Sequence, residues 1–141
     1  MAQSYRDLEI YQVSFELAIE VHKMTLALPK SEMVEQGSQA RRSSKSVISN
    51  IVKGFERRRR KRDFIQFLTY ALASCHETVQ YMEMLCQTKS FREQEACQKL
   101  LKEYDDLGGK LMSFIQSVEA DHFTRRPCDE HGPPDVNCKL V

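Results

Sequence analysis

The sequence predicts an all-α protein: an antiparallel up-and-down four-helix bundle over residues 1–123, followed by a disordered tail over residues 124–141. Apolar residues recur at spacings of three and four over four long segments, as on the buried faces of amphipathic helices. Five glycines and four prolines in 141 residues are too few for the turns of an all-β protein. No apolar run reaches the ~20 residues of a membrane span.

The first predicted helix ends at a proline. It extends from about Asp7 to Leu28, and its broad apolar face includes Tyr11 and Phe15. Pro29 lacks the amide that a continuing helix needs, so the segment stops there. A connector of roughly Lys30 to Glu35 is expected to follow.

The second and third predicted helices lie on either side of a run of basic residues. Helix two is expected from about Gln36 to Phe55, and Gly54 is placed to end it because glycine tolerates the left-handed cap conformation. Helix three, from about Asp63 to Thr88, carries two parallel apolar stripes and therefore needs more than one partner helix. The stripes are Phe64, Leu68, Ala71, Cys75, Thr78, Met82 and Leu85, and Ile65, Leu72, Val79 and Cys86.

The fourth predicted helix runs from about Phe91 to Phe123. Ser90 and Glu93 match a capping box, in which each side chain satisfies the other's orphan amide. Gly108-Gly109 weakens the middle of the helix and is consistent with a bend or a close backbone approach. Three of the four prolines fall after Thr124 in sequence without periodicity, which indicates a disordered tail.

Positive charge is concentrated in one short region. Residues 41–62 hold ten basic residues and one acid, Glu56, whereas the other 119 residues hold 11 basic and 19 acidic ones. This asymmetry points to a polyanionic partner. We call the ten the basic cluster: Arg41, Arg42, Lys45, Lys53, Arg57, Arg58, Arg59, Arg60, Lys61 and Arg62.

The basic cluster predicts nucleic-acid binding. Arg42, Lys45 and Lys53 follow helical spacing, which places a positive stripe beside the run Arg57–Arg62, an exposed connector or the first turn of helix three. Phosphate binding by such an array gains from counterion release and needs no base contact. Aromatic residues do not interleave with the cluster apart from Phe55 and Phe64, which the apolar pattern buries, and this disfavours base stacking on a single strand. An acidic protein surface and a merely solvated charged face are the alternatives.

Enzyme motifs are missing from the sequence. It contains no Gly-rich phosphate loop, H-E-x-x-H, C-x-x-C or G-x-S-x-G motif. Cys75, His76 and Glu77 adjoin, but neighbours on a helix point about 100° apart and cannot act on one atom. Cys75 is instead interpreted as a small buried hydrophobe. We therefore predict a non-enzymatic protein without a cofactor.

The five cysteines are expected to be reduced. The N-terminus has no apolar region for secretion, so we predict a cytoplasmic protein in which Cys75, Cys86 and Cys97 are packed thiols. The candidate metal ligands of the tail do not match a standard zinc spacing, and we predict no metal site. These candidates are Cys128, His131 and Cys138, with His122 upstream.

Short stretches over about residues 4–122 carry a family resemblance. They include Tyr5–Gln12, Leu28–Glu32, Ser38–Ser44, Ser49–Ile51, Gly54–Phe55, Phe64–Leu68, Ala71–Cys75, Glu77–Thr78 and Phe114–Ser117. These stretches resemble the bacterial four-helix bundle proteins, also called 23S rRNA intervening-sequence proteins. Arg41, Arg42, Ser49, Asn50 and Gly54 match the family pattern position by position.

The resemblance implies an antiparallel four-helix bundle that assembles as a ring-like homopentamer and has no enzymatic activity. Genes for some members lie within inserts in 23S rRNA genes. A distant branch serves diversity-generating retroelements, binding nucleic acid and a reverse transcriptase. The resemblance therefore implies that the partner is RNA or DNA, or alternatively that the protein is a scaffold for another protein such as a reverse transcriptase. This sequence departs from the family at Ile48, where Pro is usual, and at Lys53, where Glu is usual.

Two further expectations concern assembly and stability. The width of the apolar face on helix three suggests a homo-oligomer, and the number five comes from the resemblance alone. Arg42 and Glu77 fall near apolar faces of helices two and three, where an unpaired charge would be costly to bury. We therefore predict that they pair inside the bundle and that Arg42 is structural.

Overall fold

Four long helices form where the apolar spacing predicts them. The structure is a computed structural model that describes residues 2–88 and 90–124, with side chains as far as residue 121. The helices are α1 (Glu9–Leu26), α2 (Ser38–Glu56), α3 (Lys61–Gln87) and α4 (Gln94–Thr124). Each packs against its neighbours in chain order, α4 also packs against α1, and consecutive helices run antiparallel. The predicted all-α, up-and-down four-helix bundle is confirmed.

The core is built from the apolar stripes of the four helices. All seven residues of the first predicted stripe on α3 are buried, whereas Ile65, Leu72 and Val79 of the second stripe are half-buried against the same core. Both stripes are therefore covered largely within one bundle, by α2 on one side and α4 on the other. The predicted apolar face of α1 was too broad, because Phe15 lies outside the core with 46% of its surface exposed.

The connection between α1 and α2 is helical, contrary to the prediction of a connector over Lys30–Glu35. One α-helical turn, Lys30–Glu32, leads into a π-helical turn, Met33–Gly37, which continues directly into α2. Pro29 occupies the N-cap position of the first turn, where its missing amide costs nothing. The proline thus ends α1 as predicted and also starts the next helical turn.

The serine that caps a helix end is Ser4 and not Ser90. Ser4 accepts a hydrogen bond from the Arg6 amide at 3.2 Å, while its own amide donates to the Asp7 carboxylate at 3.1 Å. Ser90 instead donates its hydroxyl to the Glu32 carboxylate at 2.7 Å, and α4 begins only at Gln94. The predicted capping box at Ser90 is wrong because α4 begins four residues later, so Ser90 does not occupy its N-cap position.

The cysteines of α3 and α4 correct a second prediction. Cys86 and Cys97 form a disulfide, with their Cα atoms 6.1 Å apart, within the usual range for such a bond. The expectation of reduced thiols is therefore wrong for this pair, which ties the end of α3 to the start of α4. Cys75 is free and fully buried, as predicted. Burial, and secondarily the charge of Asp105, raises the pKa of its thiol to about 12.

The remaining expectations concern the glycine pair of α4, membrane spans and the tail. α4 is a continuous helix through Gly108 and Gly109, and it still includes Thr124, where the tail was predicted to begin. None of the described helices is long and apolar enough to cross a membrane. The predicted tail beyond Thr124 lies outside the described residues, as do its Cys128, His131 and Cys138 and the side chain of His122.

Candidate nucleic-acid interface

The outer face of α2 presents a stripe of cations. Arg42, Lys45 and Lys53 are exposed and follow the three-and-four spacing of one helix face, with Ser49 between them. At the α-helical rise, Arg42 and Lys53 are separated by about 16 Å. The inner face of the same helix is filled by small and apolar residues, so the polar positions are left to solvent.

The run Arg57–Arg62 is divided between a connector and a helix. α2 ends at Glu56 and α3 starts at Lys61, so the two alternatives left open by the sequence are both realised in part. The Arg57 amide donates to the Gly54 carbonyl at 3.1 Å and the Arg60 amide to the Arg57 carbonyl at 3.0 Å, which holds the turn together. Four arginine side chains of this run are exposed to solvent: Arg57, Arg59, Arg60 and Arg62.

Gly54 lets α2 and α3 approach closely next to the turn that carries Arg57. A β-carbon placed on Gly54 would lie 3.2 Å from the β-carbon of Phe67, closer than a side chain normally packs, and 3.4 Å from the Phe64 ring. Gly54 does not end α2 as predicted, since the helix continues to Glu56. Its role is instead the close packing of α2 against α3.

Two arginines of the basic cluster are engaged inside the protein. Arg41 donates from Nη1 to the Thr25 hydroxyl at 2.9 Å and from Nη2 to the Met33 carbonyl at 3.1 Å. Arg58 donates to the Phe55 carbonyl at 2.9 Å, and its guanidinium carbon lies 3.9 Å from the centre of the Phe55 ring. Lys61 is half-buried. Seven cations of the cluster remain exposed: Arg42, Lys45, Lys53, Arg57, Arg59, Arg60 and Arg62.

The predicted pairing of Arg42 with Glu77 inside the bundle is wrong. Both residues are exposed, so neither charge carries a burial cost that a partner would have to offset. The α2–α3 interface at this level is made by hydroxyls instead. Ser43 and Thr78 share a hydrogen bond of 2.7 Å, and both are buried.

An aromatic pair that the sequence did not predict, Phe67 and Tyr70, lies beside the cluster. The Arg57 guanidinium carbon lies 5.0 Å from the centre of the Phe67 ring, and Phe67 contacts Tyr70 edge to face at 5.8 Å. Tyr70 is 46% exposed. The i, i+3 spacing of the two rings, off the apolar stripes of α3, is the signal in the sequence that could have identified them.

Comparison with known proteins establishes the family. The sequence profile of 23S rRNA-intervening sequence proteins matches residues 6–113. The chain belongs to this family. A solved structure of a protein of unknown function from Bacteroides thetaiotaomicron, described as a member of the S23 ribosomal protein family, superposes with a TM-score of 0.67. It is 24% identical, covering 76% of this chain and 95% of that chain, and it supports the fold. No protein of curated function matches.

The whole basic cluster lies inside the part of the chain that matches the 23S rRNA-intervening sequence family. Ile48, at one of the two positions where the chain departs from the expected family pattern, is half-buried within an unbroken α2. Lys53, at the other, is exposed at the end of the cationic stripe nearest to the α2–α3 turn. The departure at Lys53 therefore adds positive charge to the surface where the other exposed cations lie.

Proposed function

We propose that this protein is a non-enzymatic, homo-oligomeric nucleic-acid-binding protein that takes RNA in preference to DNA and contacts phosphates through its exposed cations. The observation that carries the proposal is the set of seven exposed cations on α2, the α2–α3 turn and the first turn of α3, with Glu56 as the acid within the same segment. The family name, 23S rRNA-intervening sequence protein, supports RNA as the ligand.

The chemistry of the exposed cations suits a phosphate backbone. Five of the seven are arginines, whose planar guanidinium can donate two parallel hydrogen bonds to a phosphate. Arg41 and Arg58 contribute positive charge, but their guanidinium groups already donate within the protein, so we assign them a supporting role. Phosphate contacts carry no base information, and binding through them should be largely independent of sequence.

Salt dependence tests the proposal. If four or five phosphates are neutralised per site, the slope of log affinity against log salt should be about −3 to −4.5. The combined variant Arg59→Gln, Arg60→Gln and Arg62→Gln removes three exposed cations without touching the core. It should flatten the slope by about 2 to 3 and weaken all RNA sequences about equally. A filter-binding titration against structured RNA and duplex DNA at several salt concentrations measures both quantities.

A variant of equal charge provides the control. Lys23, Lys30 and Lys102 are exposed and lie outside the cluster, so their replacement by Gln lowers the net charge by the same three units. This control should keep the wild-type slope. Equal flattening in both triple variants would show a diffuse charge effect and overturn the proposed site. Absence of wild-type binding at low salt would overturn nucleic-acid binding itself.

The homo-oligomer, a pentamer by resemblance to the family, is part of the same proposal. Two apolar residues along one flank of α1, Phe15 and Leu26, are 46% and 48% exposed, and burial in an interface would remove this area from water. Several copies of the cluster on one body would multiply modest phosphate contacts through avidity. Light scattering at micromolar concentration tests this part, and a 16.4 kDa monomer would overturn it.

A further inference from the structure

An open groove follows the seam between α1 and α4. Four cavities of about 630 to 760 Å³ lie along this seam, and each shares lining residues with the next, among them Phe114, Lys110 and Met24. The α4 side of the groove runs from Glu93 to Ser117, about 36 Å at the α-helical rise. This length corresponds to a helix of about seven turns.

The floor of the groove is apolar. Its lining includes buried core residues and several side chains that reach the surface, such as Ile19, which is 42% exposed, and the half-buried Val13 and Met24. Such a floor can bury the apolar stripe of an added helix. The main apolar lining residues are Val13, Leu17, Ile19, Met24, Ala96, Leu100, Leu107 and Phe114.

The rims of the groove are acidic. Eight carboxylate residues and three basic residues line the four cavities, in contrast to the basic surface on α2. The ion pair between Glu9 and Lys110, 2.8 Å long, crosses the seam, but its side chains are 68% and 40% exposed and it is correspondingly weak. The carboxylate residues are Asp7, Glu9, Glu16, Glu20, Glu93, Glu103, Asp105 and Asp106.

We propose that the α1–α4 groove docks a basic amphipathic helix of a partner protein. The apolar floor matches the apolar face of such a helix, and the carboxylates on both rims match lysines and arginines on its flanks. The same carboxylates repel phosphates, so the groove is unsuited to RNA or DNA. The proposal goes beyond the proposed function, because the groove and the basic cluster use different helices of the bundle.

The groove and the basic cluster can be occupied together. The groove lies between α1 and α4, whereas the cluster lies on α2 and the α2–α3 turn, and α2 and α3 form the opposite side of the bundle. A docked helix would therefore leave the seven exposed cations free for phosphates. Loss of one interaction should not affect the other, which separates the two proposals experimentally.

A designed peptide tests the groove directly. The probe is a fluorescein-labelled peptide of about 20 residues with leucines on one helical face and lysines on the other, titrated with the full-length protein in a fluorescence anisotropy assay at physiological ionic strength. The double variant Glu16→Lys and Glu20→Lys should weaken binding about tenfold or more, since it places like charges along one rim. Its control, Glu77→Lys and Glu83→Lys, changes two exposed acids of α3 and should bind like the wild type.

Four further outcomes decide the proposal. A peptide of the same composition with its leucines spread around the helix should bind at least about tenfold more weakly, and equal binding would overturn the proposal. The proposal would also be overturned if the Glu16→Lys, Glu20→Lys variant and its control lost peptide affinity to the same extent. If light scattering shows an oligomer that Glu16→Lys and Glu20→Lys dissociates, the groove holds a second copy and the proposal is wrong. Unchanged RNA affinity in that variant, with peptide binding lost, supports two separate sites.

Discussion

Arg41 and Thr25 join α2 to α1 through a 2.9 Å hydrogen bond from the guanidinium to the threonine hydroxyl. Thr25 is fully buried and donates its own proton to the Val21 carbonyl at 2.7 Å, so its lone pairs are available to the arginine. The second guanidinium nitrogen donates to the Met33 carbonyl. Arg41 therefore fastens α1, the π-helical turn and α2 together, although it belongs to the basic cluster.

Replacing Arg41 should thus affect stability more than the replacement of its neighbour. Arg41→Ala removes two hydrogen bonds from a charged donor and should lower the free energy of unfolding by about 1–3 kcal/mol. Arg42→Ala, at an exposed position, should change it by no more than about 0.5 kcal/mol. Urea unfolding of both variants measures the difference. Equal stability of the two would show that the Arg41 contacts contribute nothing measurable.

The disulfide between Cys86 and Cys97 should stabilise the junction of α3 and α4. Reduction opens a loop with a sequence separation of 11 and should cost about 2–3 kcal/mol of unfolding free energy. A phosphine reductant should therefore lower the melting temperature of the wild type. It should have no effect on the double variant Cys86→Ala and Cys97→Ala.

Cys75→Ala serves as the control for the reductant, because this cysteine is free and buried. That variant should respond to reduction like the wild type. A wild-type melting temperature that is the same with and without reductant would contradict the stabilising role of the disulfide.

Cys75 itself should make stability fall at high pH. Its thiol has a pKa raised by burial from 9.0 to about 12, so above pH 9 the unfolded chain loses a proton that the folded chain keeps. The contribution is fully present below pH 9 and is lost as the pH rises towards 12. In that window it lowers the unfolding free energy by about 1.4 kcal/mol per pH unit.

The variant Cys75→Ala isolates this contribution. It lacks the thiol, so its free energy of unfolding should decline less steeply with pH than that of the wild type, by about 1.4 kcal/mol per unit. Urea unfolding at several pH values between 8 and 11 gives both slopes. Parallel slopes would mean that the thiol ionises as easily in the folded protein as in the unfolded chain.

Replacement by alanine should change the free energy of unfolding in opposite directions at Gly109 and Gly54. A β-carbon on Gly109 would meet nothing within 4 Å, and Gly109→Ala should raise the free energy of unfolding by about 0.5–1 kcal/mol through helix propensity. A β-carbon on Gly54 would lie 3.2 Å from that of Phe67, so Gly54→Ala should be destabilising. Thermal melts of the two variants compare them. A shift of the same sign in both would contradict the packing argument.

The predictions from sequence hold where a local pattern decides the structure. Apolar spacing within α3 identifies its buried face because a helix repeats the same geometry every turn. To tell which of Arg41 and Arg42 is structural, the rotation of α2 about its own axis relative to α1 must be known. Consecutive side chains on a helix point about 100° apart, so a small error in that rotation selects the wrong arginine. The prediction that Arg42 is structural is wrong, and the arginine that bonds within the protein is its neighbour Arg41, which was predicted only as a nucleic-acid-binding residue.

Features that depend on distant partners could not be read from the sequence. The hydrogen bond from the Ser90 hydroxyl to Glu32 joins residues 58 positions apart, and no local pattern around Ser90 indicates it. The disulfide likewise depends on the distance between the Cα atoms of Cys86 and Cys97, and their separation in the sequence does not determine that distance. The α1–α4 groove depends on how closely two helices pack, and their individual patterns do not specify it.

Tyr70 should contribute to single-stranded RNA binding through stacking. It is 46% exposed and reaches the basic cluster through Phe67, which contacts both Tyr70 and Arg57. Stacking of a base on an aromatic ring contributes about 1–3 kcal/mol of binding free energy, so Tyr70→Ala should lower the affinity for single-stranded RNA by about 5-fold to 150-fold. Because no charge is lost, the slope of log affinity against log salt should stay the same.

Two controls separate stacking from a general effect on the surface. Tyr70→Phe keeps the ring and should retain binding, although it loses the hydrogen bond that Gln66 donates to the tyrosine hydroxyl at 2.7 Å. Met112→Ala removes an apolar side chain that is 44% exposed on α4, which carries no residue of the cluster, and should also retain binding. A filter-binding titration with single-stranded and structured RNA at fixed salt measures all three variants. If Tyr70→Ala binds single-stranded RNA as tightly as Met112→Ala does, the interface is purely electrostatic and the ring has no part in it.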